Sequence, residues 1–137
     1  MMKAALALLL VSPLATAADG SWSGQSFGGT MTRGQKVLKS RPVQSPSPLP
    51  AGAVASRVSW RIETYGLVPA DFRIMLCSPS RCMTLPGMGG EMPMSAGMPA
   101  SGPFRFEYYS MTGGRSDAPL TVLSNQMTVS YRNRGKE

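Results

Sequence analysis

The sequence predicts an all-β fold, either a small antiparallel β-sandwich or, as the alternative, an open barrel. Apolar and polar residues alternate in several short segments, which is the period of a half-buried strand. Gly and Pro clusters separate these segments, as turns separate strands. Beyond residue 17, no run of ten residues free of Gly and Pro carries apolar residues at helical spacing. With 137 residues, 42% hydrophobic and 15% charged, the chain suits one buried core and excludes a disordered polyelectrolyte or a coiled coil.

The first 17 residues have the pattern of a secretory signal peptide. Residues 1–3 form a short basic head, residues 4–14 an apolar run, and residues 15–17 an Ala-Thr-Ala cleavage site. The apolar run is shorter than the roughly 20 residues that span a bilayer. We expect cleavage after Ala17, which leaves residues 18–137 as a single β-sandwich domain without a transmembrane segment. In a Gram-negative cell this domain is periplasmic, where nucleic acid is not an expected partner.

The clearest strand covers residues 58–63, where Val58, Trp60 and Ile62 point inward. Residues 72–77 and 82–85 predict a hairpin, because a Ser-Pro-Ser-Arg turn joins them. The oxidising compartment favours a disulfide between Cys77 and Cys82. If these two cysteines face each other, the apolar faces of both strands coincide and the disulfide lies on the opposite face. The inward residues of this hairpin are then Phe72, Ile74, Leu76, Met83 and Leu85.

Further strands are predicted near both ends of the chain. Residues 104–108 place Phe104, Phe106 and Tyr108 on one face, and a turn at residues 113–114 follows. Leu120 and Val122 share a face, but Met127, Val129 and Tyr131 are out of phase with them, so we expect a bulge near residues 124–125. Towards the N-terminus, residues 21–28 and 30–38 predict one hairpin broken at Gly28 and Gly29.

Two segments interrupt the strands. The Pro-rich residues 41–50 predict an extended, polyproline-like crossing loop. Residues 83–98 mix methionines with Gly and Pro, which supports two interpretations. Thioether sulfur is a soft ligand for Cu(I), whereas flexible methionines also pack against a core edge or a partner surface. The Cu(I) alternative would use Met88, Met92, Met94 and Met98.

The residue types available argue against catalysis. The chain has no His, which removes the usual general base and metal ligand, and its seven acidic residues form no tight motif. Glu63 and Glu107 alternate with core positions beside Arg61 and Arg105, a pattern typical of solvated charge pairs. We therefore expect no enzyme activity, no cofactor and no obligatory metal.

Basic residues outnumber acidic ones by 14 to 7, so we expect a basic surface. Such a surface attracts acidic proteins, anionic lipid headgroups or acidic glycans, and it also keeps a small domain soluble. Exposed arginines beside Tyr109, Met75 and Tyr65 are typical of a protein-binding surface. Self-association through exposed sheet edges is left open. The predicted partner-binding residues are Arg61, Arg73, Arg81 and Arg105.

The order of these features resembles the flagellar accessory protein family FlhE. Five segments carry the resemblance, with its most specific parts at LCSPSRC (residues 76–82) and SNQMTVSYR (residues 124–132). The signal peptide, residues 58–63 and residues 103–106 add to it. The resemblance implies a periplasmic β-sandwich that acts beside the flagellar type III export gate, where it limits proton leak or assists exported rod and hook parts.

The sequence thus predicts a non-catalytic binding protein with a protein partner at the export gate or rod. Two rival functions stay open. One is a periplasmic Cu(I)-binding protein that uses the methionine-rich loop, and the other is a glycan-binding module. A β-sandwich supports all three functions, so fold alone does not choose between them.

Overall fold

The computed structural model describes residues 19–32, 36–110 and 120–133, and these residues form strands without helices. The predicted signal peptide at residues 1–17 and the predicted turn at residues 113–114 lie outside them. No helix in the described part of the chain is long and apolar enough to cross a membrane. The strands are β1 (Gly20–Ser26), β2 (Gly29–Met31), β3 (Val37–Lys39), β4 (Ala53–Tyr65), β5 (Arg73–Cys77), β6 (Cys82–Leu85), β7 (Gly89–Pro93), β8 (Arg105–Tyr109) and β9 (Leu120–Asn133).

The strands form two antiparallel sheets, which confirms the predicted sandwich over the open barrel. The first sheet has the order β1-β9-β4-β7, and β2 also pairs with β9. The second sheet has the order β3-β8-β5-β6. The Pro-rich loop crosses from β3 in the second sheet to β4 in the first, as predicted, and it contributes the buried Val43 to the core.

The predicted hairpin register is confirmed in the second sheet. Cys77 faces Cys82, Leu76 faces Met83 and Ile74 faces Leu85. The four apolar residues of these pairs are buried, because strand alternation directs them towards the first sheet. The disulfide is formed, with an S–S distance of 2.02 Å.

The core lies between the two sheets and includes most of the inward residues predicted from alternation. Val58, Trp60 and Ile62 are buried from the first sheet, and Phe104, Phe106 and Tyr108 from the second. The Trp22 ring stacks against that of Phe104, with centroids 6.1 Å apart. Each buried indole N–H has a carbonyl acceptor: Trp22 Nε1 donates to Ala100 O at 2.8 Å, and Trp60 Nε1 to Gly87 O at 2.9 Å.

The predicted bulge in β9 is confirmed, one residue before residues 124–125. Glu63 pairs with Ser124 and Thr64 with Val122, so Leu123 is the extra residue. Its side chain is half exposed. The bulge returns Asn125, Met127 and Val129 to the core side after Val122.

The predicted N-terminal hairpin of residues 21–28 with residues 30–38 is wrong. Both β1 and β2 pair with β9, and β3 pairs with β8 in the other sheet. The physical reason is that β9 is 14 residues long, so one part of it pairs with β2 and another part with β1. Gly28 continues that pairing, since its N–H donates to Val122 O at 3.1 Å.

Tyr108 provides a test of this core. Its Oη is buried and has no hydrogen-bond partner among the described residues, and burial raises the pKa of its hydroxyl. Above pH 10 or so the unfolded chain loses this proton while the folded chain keeps it, so the free energy of unfolding falls as pH rises. We expect Tyr108→Phe to raise the free energy of unfolding by about 1 kcal/mol at neutral pH and to flatten its alkaline decline.

Urea denaturation of both proteins at about pH 7 and about pH 10.5 measures these two effects. A Tyr108→Phe protein that is less stable at neutral pH would contradict the absence of a partner for this hydroxyl. An unchanged alkaline decline would show that another group causes it.

Candidate functional site

The outer face of the second sheet carries most of the predicted partner-binding residues. Strands β5 and β8 direct Ile74, Leu76, Phe106 and Tyr108 into the core. Because side chains alternate along a strand, the residues between them point outward. The outward residues of these two strands are Arg73, Met75, Cys77, Arg105, Glu107 and Tyr109.

Strand register arranges these side chains in rows. Tyr109 is paired with both Val37 and Arg73, and Glu107 with both Lys39 and Met75. Arg105 faces Cys77 at the other end of the face. We call this surface the cationic face and define it by Lys39, Arg73, Met75, Arg105 and Tyr109. Its three cations are exposed, whereas Met75 and Tyr109 are half-buried.

The position of Glu107 corrects the expectation of a solvated charge pair. This carboxylate belongs to the outward set, yet only 7% of the residue is exposed. Tyr109 Oη donates to Glu107 Oε1 at 2.6 Å. This hydrogen bond, with smaller contributions from burial and from the carboxylate charge, raises the pKa of the Tyr109 hydroxyl. The exposed charges of the cationic face are therefore all positive.

The four predicted arginines do not share one surface. Arg73 and Arg105 lie at opposite ends of the cationic face, about 13 Å apart along the strand direction. Arg81 lies in the β5–β6 turn with its guanidinium against Gly97, where an added Cβ would lie 3.1 Å from Arg81 Nε. Arg61 belongs to β4 in the first sheet, and its Nη2 lies 3.3 Å from Glu63 Oε2. Their role in binding a partner stays a prediction.

The chain is similar to flagellar proteins over nearly its whole length. A family model described as flagellar protein FlhE matches residues 28–132. The chain belongs to the FlhE family. FlhE from Escherichia coli strain K12 is 36% identical over 132 residues, which cover 96% of this chain and all of that protein. FlhE from Salmonella typhimurium strain LT2 is 38% identical with the same coverage.

A solved structure extends the FlhE comparison to the fold. A chain titled "Crystal Structure of FLHE" superimposes with a TM-score of 0.73 and is 38% identical in sequence. The match covers 84% of this chain and 98% of that one. The resemblance drawn from the sequence is thereby confirmed. This FlhE-family chain therefore has a flagellar accessory role, and its family is not one of enzymes.

The methionines of this FlhE-family chain pack with the core. Met94 and Met98 are buried members of it, and Met88 and Met92 are partly buried against it. Met92 pairs with Val58 across β7 and β4, which directs its side chain towards the core side. Core packing is therefore the observed role of all four residues. The Cu(I) interpretation stays a prediction.

The disulfide decides whether one further cluster of side chains could bind a metal. The two Sγ atoms of Cys77 and Cys82 and a carboxylate oxygen of Glu107 lie within 4.8 Å of one another. Metals bind thiolates, and both sulfurs are oxidised here, so this cluster offers a metal only the carboxylate. The disulfide is consistent with an oxidising compartment.

Sequence reasoning missed Lys39 as a member of the cationic face. The predicted N-terminal hairpin ended at Leu38 and left Lys39 outside it, whereas β3 pairs with β8 and places Lys39 beside Glu107. The signal that could have found it is the alternation of Val37, Leu38 and Lys39, in which the apolar Leu38 points inward and Lys39 points outward.

Proposed function

We propose that this FlhE-family chain is a non-catalytic periplasmic protein of the flagellar type III export apparatus. It binds a protein partner at the export gate or rod through the cationic face, and by its bulk it limits proton leak through the gate or assists exported rod and hook parts. The cationic face is the observation that carries this proposal, because its exposed charges are positive and the negative Glu107 is covered.

The chemistry of the face suits an acidic protein surface. Arginine binds carboxylates with two parallel hydrogen bonds, and Tyr, Met and Arg are enriched at the centres of protein interfaces. Arg73 and Arg105 lie at the two ends of the face, with the half-buried Met75 in the row between them and the half-buried Tyr109 beside Arg73. A partner that neutralises both arginines therefore covers the apolar centre as well. The excess of 14 basic over 7 acidic residues speeds approach to such a partner.

Two features support the periplasmic part of the proposal. The first 17 residues carry the signal-peptide pattern, and Cys77 and Cys82 form a disulfide of the kind that persists in oxidising compartments. The lack of His in the whole chain supports a binding role over catalysis.

Charge reversal tests the proposal. We expect Arg73→Glu/Arg105→Glu to lower partner recovery in periplasmic crosslinking by about tenfold or more, because both contacts become repulsive. Proton entry should rise, as we also expect on deletion of the gene, in cells that assemble export gates and stay unchanged in gate-less cells. Arg132→Glu is the matched control, since Arg132 is an exposed strand arginine in the first sheet.

Two outcomes of this experiment would contradict the proposal. Equal recovery from the double variant and from Arg132→Glu would overturn the cationic face as the docking surface. Equal proton entry with and without gates would overturn the role at the gate. An unchanged melting temperature would show that the variants are folded, as we expect for substitutions at exposed positions.

A further inference from the structure

The outer face of the first sheet carries a shallow polar depression of about 480 Å³. It spans the three adjacent strands β1, β9 and β4, on the side of the sandwich opposite to the cationic face. Trp22, Met127 and Trp60 of these strands point into the core, so their neighbours point outward. The outward side chains that line the depression are Ser23, Gln25, Ser59, Arg61, Gln126 and Thr128.

Register orders these six side chains in two rows. In the first row, Thr128 of β9 faces Ser23 of β1 on one side and Ser59 of β4 on the other. The hydroxyl oxygens of Ser23 and Thr128 lie 2.7 Å apart. In the second row, Gln126 faces Gln25 on one side and Arg61 on the other. Three strands thus present a grid of hydroxyl and amide groups that ends in a single cation.

The grid has the hydrogen-bonding character of a saccharide site. Each hydroxyl and each primary amide both donates and accepts hydrogen bonds, as sugar hydroxyl and N-acetyl groups require. None of the six side chains is apolar, whereas the centre of a protein interface is.

Arg61, at the end of the second row, extends this chemistry to a charged group on the ligand. Arg61 is held by Glu63 at 3.3 Å in an exposed ion pair, which is a weak interaction, so the guanidinium is available to a carboxylate on the ligand.

We propose that this polar depression binds a glycan that bears a carboxylate, with the two rows holding its hydroxyl and amide groups and Arg61 its carboxylate. The glycan site and the cationic face occupy opposite faces of the sandwich. A single molecule can therefore hold a polysaccharide and a protein partner together.

Titration of the mature chain with two saccharides tests this site. The probes are the neutral N-acetylglucosamine tetramer and a disaccharide of N-acetylglucosamine and N-acetylmuramic acid, which carries a carboxylate. We expect the second to bind more tightly. Thr128→Val and Gln126→Ala should each weaken binding by about threefold to tenfold, because each removes one hydrogen-bonding group. Arg61→Ala should abolish the preference for the carboxylate.

The chain offers matched controls for these variants. Thr121 also lies on β9, and its hydroxyl lies 3.0 Å from that of Thr30 on the neighbouring strand, outside the depression. Thr121→Val should leave glycan binding unchanged, and so should Arg132→Ala. Isothermal titration calorimetry measures the dissociation constants.

Three results would overturn the glycan site. These are no binding of either saccharide, equal effects of Thr128→Val and Thr121→Val, or a protein partner whose recovery Thr128→Val abolishes. The first two leave the cationic face untouched, because Arg73→Glu/Arg105→Glu is scored by recovery of the protein partner, whereas the third would also count against that face. The glycan site and the proposed export role are therefore tested separately.

Discussion

Replacement of Phe106 by alanine is expected to lower the free energy of unfolding by about 3–5 kcal/mol. Phe106 is fully buried in β8, the strand that joins β3 to β5, and it faces Leu76 across the β5–β8 pair. Alanine loses the transfer free energy of the ring and leaves a cavity between the two sheets. The backbone at this position is held independently, since Ser40 N donates to Phe106 O at 2.9 Å and Phe106 N donates to Ser40 Oγ at 3.0 Å.

Urea denaturation measures this loss as a lower midpoint with an unchanged slope. Leu67→Ala is the control, because Leu67 is a large apolar residue with 60% of its surface exposed and should cost less than about 0.5 kcal/mol. Similar losses for the two variants would contradict the assignment of the core to the space between the sheets.

The hairpin of β5 and β6 shows why part of the fold was predictable. Two independent patterns, the cysteine spacing and the alternation of Ile74, Leu76, Met83 and Leu85, agree on one register. Their partners lie within a few residues along the chain, so the turn itself fixes the pairing. The phase change in β9 was predictable for a similar reason, because a strand with one buried face must bulge to keep that face inward.

The N-terminal strands show where the prediction failed. In β1, Trp22 is the single large apolar residue among Gly, Ser and Gln, so alternation carries little information. Its partner is β9, near the other end of the chain, and local sequence does not encode a pairing between distant segments. The prediction therefore paired β1 with the next segment along the chain, of which β2 lies in the same sheet but pairs with β9, and β3 lies in the other sheet.

The candidate site was predictable strand by strand but not as a surface. Alternation gives the outward phase of Arg61, Arg73 and Arg105 on their own strands. It does not say which sheet each strand joins, and Arg61 lies in the first sheet while the others lie in the second. Glu107 was expected in solvent, because burial of an outward residue depends on its cross-strand neighbours and on the Tyr109 hydrogen bond.

Gly28→Ala is the second substitution with a large expected effect. An added Cβ at Gly28 would lie 2.3 Å from Val122 Cγ1 and 2.4 Å from Val122 Cβ, distances at which one of the residues must move. Val122 is fully buried in β9, and its short, branched side chain has no flexible end that could swing away from the added Cβ. The backbone where β1 meets β2 must therefore shift and strain the Gly28 N–H bond to Val122 O.

We expect Gly28→Ala to lower the free energy of unfolding by about 3 kcal/mol, at the upper end of overpacking losses. Gly87→Ala is the matched control, since an added Cβ there meets nothing within 4 Å and should change stability by less than about 0.5 kcal/mol. Urea denaturation of the two variants compares them directly. Unchanged stability of Gly28→Ala would mean that β1 and β2 are not held against β9 by the close approach of Gly28 to Val122.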